Sequence, residues 1–248
     1  MSHLASTEKV AVITGAGSGV GRAIALKFAE EGWRVGLVGR RSSTLEETVG
    51  LATAAAQARF VSFPCDLSEP GAVDTMVAGI LSRFDCVDVL VNAAGTNIPR
   101  RSLGELSRKD YMAVMAANID GVLHTVQAFL PRMRQHGNGL IINIGSEAGR
   151  LASAKAGAAY VISKFGLTGL TQAINAEERQ NGIRACCIFP GDIDTAILEK
   201  RPVPPSPEMR ARMLLAEDVA ACAWFVAGLP PRATVEELVI RPARPFLL

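Results

Sequence analysis

Apolar residues fall along this chain in short unbroken runs, separated by stretches with a four-residue repeat. Val10 to Ile13, Val35 to Val38, Phe60 to Phe63, Val87 to Val91, Leu140 to Ile144, Ile183 to Phe189 and Leu238 to Ile240 read as strands. They are rich in Val and Ile and apolar on consecutive positions, as expected of strands covered on both faces. Between them, Val20, Ile24 and Phe28 mark a helix that Gly32 would stop. Ser107 with Asp110 three residues on has the look of a variant capping box opening a long helix. Ala216 to Leu229 is the last strong helical pattern. Strand–helix alternation implies right-handed crossovers and a parallel sheet with helices on both faces, an α/β doubly wound fold. No internal repeat or linker interrupts it, so residues 1–248 are read as one domain. Residues 1–8 are expected to be flexible, and Pro202 to Pro207 to lie in a surface loop.

Composition narrows the class. Hydrophobic residues make up 49% of the 248 residues and the net charge is +2, too mild and too dispersed for a nucleic-acid surface. Arg40-Arg41 stands at a strand end, whereas Arg100-Arg101 and Arg132/Arg134 read as solvated surface charge. Five cysteines without a CxxC are expected to be reduced and mostly packed. His3, His124 and His136 lack metal-ligand spacing, so no metal site is expected. There is no signal pattern at the start, and no apolar run long enough to span a bilayer. A soluble, cytoplasmic protein is expected.

The first strand runs into Thr14-Gly15-Ala16-Gly17-Ser18-Gly19-Val20-Gly21, and a helix follows. Glycines there permit a tight turn and let a pyrophosphate approach the backbone. The helix N-terminus supplies free N–H groups and a favourable dipole. The spacing is TGxxxGxG rather than GxGxxG.

That loop is joined, in order, by Asp66-Leu67, Asn92-Ala93-Ala94-Gly95, Asn118, Ser146, Tyr160 with Lys164, and Pro190-Gly191 with Thr195. Through this series nearly the whole chain resembles the short-chain dehydrogenase/reductase family, in its compact single-domain branch. The resemblance implies a Rossmann-like sheet of about seven strands in the order 3-2-1-4-5-6-7. It implies hydride transfer between NAD(P)(H) and a carbonyl or secondary alcohol. Tyr160 would give or take the proton of the substrate oxygen. A free phenol ionises only near pH 10, and a nearby ammonium favours the phenolate. Tyr160 and Lys164 are four apart in a helical pattern and so share a face. Ser146 would hold the substrate oxygen, and Asn118 would bend its helix and hold a water linking Lys164 to solvent. Cofactor contacts are implied for Gly15, Ser18, Gly19, Val20 and Gly21, and for Asp66, Leu67, Asn92, Ala93 and Gly95. They are also implied for Tyr160, Lys164, Pro190, Gly191, Ile193 and Thr195. Tyr160 follows Ser146 by fourteen positions, one more than the family pattern, so the loop between them departs from its relatives.

The second strand ends in Gly39-Arg40-Arg41. Relatives that prefer NAD place an acidic residue at this strand end, where it binds the ribose hydroxyls. Glycine at 39 would not repel a 2′-phosphate, and Arg40, with help from Arg41, could pair with one. NADP(H) is therefore expected, with NAD(H) as the weaker partner. A small-molecule substrate should be lined by Asn97 to Ser102, Glu147 to Ala158 and Asp192 to Met213; residues 192–215 have the look of a mobile lid. The matching helices of the family form its main dimer interface, which implies a homo-oligomer, dimer or tetramer. The rival reading is a silent NAD(P)-binding sensor or scaffold. Intact Ser146, Tyr160 and Lys164 argue against it.

Overall fold

The first crossover runs β1 (Val10–Thr14), α1 (Gly19–Glu30), β2 (Arg34–Gly39), and continues through α2 (Ser42–Gly50) and α3 (Ala54–Gln57) to β3 (Phe60–Pro64). The chain then returns through α4 (Pro70–Phe84) to β4 (Val89–Asn92). A long helical passage follows, α5 (Arg108–Met115) and α6 (Gly121–His136) joined by one π-helical segment, and leads to β5 (Gly139–Ile144). The last third holds α7 (Ala158–Glu178), β6 (Ile183–Pro190), α8 (Pro207–Arg210), α9 (Ala216–Ala227) and β7 (Glu237–Ile240). These coordinates are a computed structural model and describe residues 8–244. The expected flexible start therefore lies outside the described residues except for Glu8, which pairs with Arg59 at 3.3 Å.

The strands form one all-parallel sheet in the order β3-β2-β1-β4-β5-β6-β7. Side chains alternate across it, as the pleat requires. In β1, Ala11 and Ile13 join the core under α1 and α9, whereas Val10 and Val12 join the core under α4, α6 and α7. Phe28 is fully buried and meets Trp33 and Trp224 edge-on at 5.1 and 5.3 Å, tying α1 to α9. The order reverses between β1 and β4, and a cleft opens beyond the strand C-termini at such a switch point.

Four expectations need correction. Both-face burial holds for β1, β4 and β5 but not for β3 or β7, which are the sheet edges and alternate toward solvent. Ser107 caps α5 by accepting from the Asp110 N–H at 3.0 Å, but its hydroxyl also donates to the Asp110 carboxylate at 2.8 Å, which replaces the reciprocal half of a capping box. Arg101 is 7% exposed, and Arg134 pairs with the buried Glu178, so neither is plain surface charge. Finally, Arg108–His136 is by length and composition long enough to cross a membrane. Val122, Val126, Phe129 and Met133 of that helix lie in the core beside the sheet.

All five cysteines are free; Cys65, Cys186 and Cys187 are buried, Cys86 and Cys222 half-buried. Burial pushes the Cys186 thiol up to about 12 and that of Cys187 to about 11, so neither is a nucleophile at neutral pH.

Candidate active site

The cleft has a volume of about 440 Å³ and is walled by the glycine loop on one side and by the 146–160 and 190–201 segments on the other. The loop is built for close approach. Gly15 has φ +67°, and a Cβ there would stand 2.8 Å from the Ala94 backbone. A Cβ on Gly21 would meet the Gly15 carbonyl at 2.4 Å. Ser18 begins α1 without capping it by a side-chain hydrogen bond, leaving first-turn N–H groups for an anion. These features fit a dinucleotide pyrophosphate. Thr14, which opens the TGxxxGxG run, and two residues not anticipated from the sequence, Arg22 and Thr48, hold the loop's shape. Buried Thr14 accepts from the Ala93 and Ala94 N–H groups at 3.1 and 3.2 Å. Arg22 donates to the Gly17 carbonyl at 2.5 Å and to Thr48 Oγ1 at 3.1 Å, and Thr48 donates to the Ala16 carbonyl at 2.9 Å. Arg22 has only its nearness to the glycines as a sequence signal, and Thr48, far beyond Gly21 in the chain, has none.

The adenosine side is more mixed. Arg40 and Arg41 are exposed at the end of β2, and Gly39 lies against the loop, its missing Cβ position 3.9 Å from the Gly17 N. Asp66 is exposed and accepts from the Ser68 N–H and hydroxyl at 3.0 and 2.7 Å, an Asx turn. Those bonds, with the Arg40 charge adding to them, hold its carboxyl below the usual range. Leu67 is buried against the start of α6. Asn92 does not face the cleft. Its amide donates to Asn143 at 2.9 Å, and Asn143 donates to Thr171 at 2.9 Å, a buried chain joining β4, β5 and α7. Ala93, Ala94 and Gly95 do line the cleft.

Ser146, Tyr160 and Lys164 all line it. Lys164 is 5% exposed; its ammonium donates to the Ile144 carbonyl at 2.8 Å and stands 5.5 Å from the Tyr160 ring centre. Ser146, two residues beyond β5, accepts from the Ala148 N–H at 3.2 Å and so begins the 3₁₀ turn Glu147–Gly149, with its hydroxyl proton left to donate elsewhere. Asn118 sits at the middle of the π-helical segment Ala116–Asp120, the local widening expected of a residue with poor helix propensity. It accepts from the Thr96 N–H at 2.7 Å and donates to the Thr96 carbonyl and to Ser163 Oγ, both at 3.0 Å. It thus ties the loop after β4 to α7, one residue before Lys164.

Pro190, Gly191, Ile193 and Thr195 also line the cleft. Thr195 approaches the glycine loop, its Cγ2 3.5 Å from where a Gly19 Cβ would be. The three segments expected to line the substrate all contribute: Asn97 and Arg101, then 147–156, then 192–201. Arg241 joins them from beyond β7, unannounced by any motif. Asp192 accepts from Lys155 at 2.7 Å and Arg201 at 2.6 Å; burial works against the charge, but these partners outweigh it and hold the carboxyl below its usual value. Asp194 instead pairs with Arg210 at 2.9 Å. The 192–215 segment folds as a short 3₁₀ turn, Ala196–Lys200, followed by α8, and is pinned by an Ile193–Leu214 bridge.

Comparison with known proteins agrees with this geometry. The short chain dehydrogenase family profile matches residues 9–203. An uncharacterized oxidoreductase of Staphylococcus epidermidis is 31% identical over 235 residues, 95% of this chain and 97% of that one. Among solved structures, an alcohol dehydrogenase of Thermococcus sibiricus complexed with 5-hydroxy-NADP superposes with TM-score 0.85 at 30% identity, covering 97% of this chain and 100% of that one. A 3-ketoacyl-(acyl-carrier-protein) reductase of Brucella melitensis, complexed with NADH, superposes with TM-score 0.84 at 27% identity and covers 97% and 100%. With the fold, the glycine loop and the Ser-Tyr-Lys cluster in place, this chain belongs to the short-chain dehydrogenase family of oxidoreductases.

Proposed function

We propose that the protein interconverts a carbonyl compound and its secondary alcohol with NADP(H). The observation that carries this is the meeting of Tyr160, Lys164 and Ser146 in the cleft that the glycine loop also walls. The bound nicotinamide supplies or accepts the hydride. In reduction, the Tyr160 hydroxyl donates its proton to the substrate oxygen as the carbonyl carbon takes the hydride, and the phenolate left behind recovers a proton from solvent. Oxidation runs the same steps in reverse. The Ser146 hydroxyl donates a hydrogen bond to the substrate oxygen and holds it within reach of Tyr160. Lys164, beside the ring, stabilises the phenolate by its charge. Asn118 acts as a positioning residue through Thr96 and Ser163.

The preference for NADP(H) rests on the strand end. Gly39 offers no carboxylate, and Arg40 and Arg41 are exposed beside it. Among solved relatives both cofactors occur: the archaeal alcohol dehydrogenase was solved with an NADP derivative and the ketoacyl reductase with NADH. Asp66 and Leu67 would flank the adenine, and Thr195 with Pro190, Gly191 and Ile193 the nicotinamide. Initial rates over a panel of carbonyls and secondary alcohols, with each cofactor at equal concentration, test the proposal. Turnover, faster with the phosphorylated cofactor, is expected. Tight cofactor binding with no turnover anywhere in the panel would overturn it in favour of a silent sensor.

A further inference from the structure

The substrate half of the cleft carries a surplus of positive charge that the protein does not neutralise. Besides Lys164 beside Tyr160, five cations line the cleft: Arg101, Arg150, Lys155, Arg201 and Arg241. Two are matched singly, Arg150 with Glu237 at 3.7 Å and Arg241 with Glu147. Lys155 and Arg201 share one carboxylate, Asp192. Arg101 has no carboxylate partner among the described residues. Its hydrogen bonds go to main-chain carbonyls of Ile98 at 2.8 Å, Lys155 at 3.3 Å and Lys200. Arg101, Lys155 and Arg201 thus have one carboxylate among them, and it is held by the latter two.

Arg101 is also held there on purpose-built backbone. Gly157 has φ +81°, and a Cβ on it would stand 2.5 Å from the Arg101 Cβ, so only glycine lets the two segments meet. Arg101 lies within electrostatic reach of both Arg201 and Tyr160; burial first, and then the Arg201 charge, lower its proton affinity. A buried guanidinium beside another cation is costly to keep without a counter-charge. A guanidinium has five N–H donors, of which the three carbonyls engage three, leaving two to receive an oxyanion.

Building on the proposed carbonyl chemistry, we infer that the substrate is an anion, carrying a carboxylate or phosphate that docks on Arg101 and Arg201 while its carbonyl or hydroxyl oxygen meets Tyr160 and Ser146. Leu151, Ile197 and Leu198 line the rest of the cleft and would cover its carbon chain.

Oxo acids with increasing spacing (2-oxobutanoate, acetoacetate and levulinate) would be compared with their methyl esters, and dihydroxyacetone phosphate with dihydroxyacetone. At least one charged member should exceed its neutral counterpart in kcat/KM by tenfold or more, and which pair does so separates carboxylate from phosphate. Arg101→Gln and, because Arg101 also binds three carbonyls, independently Arg201→Gln should each cut that ratio by roughly ten- to a hundred-fold, the usual effect of losing a charge-assisted hydrogen bond. Calorimetric titration of 3-hydroxybutyrate and its methyl ester into the protein with NADPH, a pairing that has no hydride acceptor, reads the same site without turnover, and the acid should bind more tightly. Turnover of neutral ketones equal to or better than all their charged counterparts overturns this inference and leaves the proposed reaction standing. Tight binding of the acid with no turnover of any compound supports the anion site and overturns the reaction.

Discussion

At the scale of single residues, what could be read from the chain was the chemistry whose residue types stand out against their surroundings. Tyr160 and Lys164 interrupt an apolar helix at a spacing that puts them on one face, and Ser146 stands where an apolar strand ends. Arg101 could not be read, because two adjacent arginines look like solvent-facing charge; its burial is set by Gly157, fifty-six positions on. Asn92 had the right neighbours, but its side chain takes the other face of the sheet, a choice made by the alternation of β4. Arg40 carries a prediction at this scale. Its exposed side chain makes no hydrogen bond or ion pair among the described residues, so Arg40→Ala should leave the fold intact. The variant should weaken NADPH by roughly ten- to a hundred-fold, the usual loss of a hydrogen bond to a charged group, and NADH much less. Direct titration of both cofactors checks it, and an equal loss for both would show that Arg40 does not read the phosphate.

At the scale of elements, all seven strands were legible to within two residues, because consecutive Val and Ile leave little else they could be. The edges were not legible, since a short apolar run does not record whether it has one neighbour or two. The π-helical segment at 116–120 inserts a residue without changing composition, and only Asn118 hinted at it. The tie between α6 and α7 was also hidden. Glu178, 3% exposed, accepts from Arg134 Nε at 2.8 Å and from Asn181 at 2.9 Å. The Arg134 hydrogen bond is the main reason its carboxyl is held below the usual range. A carboxyl with a depressed folded pKa stabilises the fold above its unfolded pKa, about 4.3 for glutamate, and that contribution is lost as pH falls toward the folded value. Glu178→Gln should therefore destabilise by about 1–3 kcal/mol at neutral pH, with the gap from wild type closing in acid below about pH 4. Urea unfolding at the two pH values measures both gaps. A gap that stayed constant would mean that charge at Glu178 adds nothing.

At the scale of the whole molecule, alternating strands and helices gave a parallel sheet, and the strand order was implied by the family resemblance. The path of residues 192–215 was not, because their ion pairs and short turns depend on partners far away in sequence. Met112, Leu123, Ile162 and Phe165 on α5, α6 and α7 are exposed, and so are Leu215, Phe225 and Val239 around α9 and β7. Large apolar patches on soluble proteins mark interfaces, and two self-complementary ones would generate a closed tetramer. Light scattering should find a homotetramer, and a monomer at micromolar concentration would contradict it. The central claim, that Tyr160 moves the substrate's proton, is tested most directly by comparing kcat and NADPH affinity in wild type and Tyr160→Phe. In the variant kcat should fall by roughly 10²–10⁴-fold while NADPH binding survives; a variant that kept more than about a tenth of the wild-type rate would show that Tyr160 does not carry the proton.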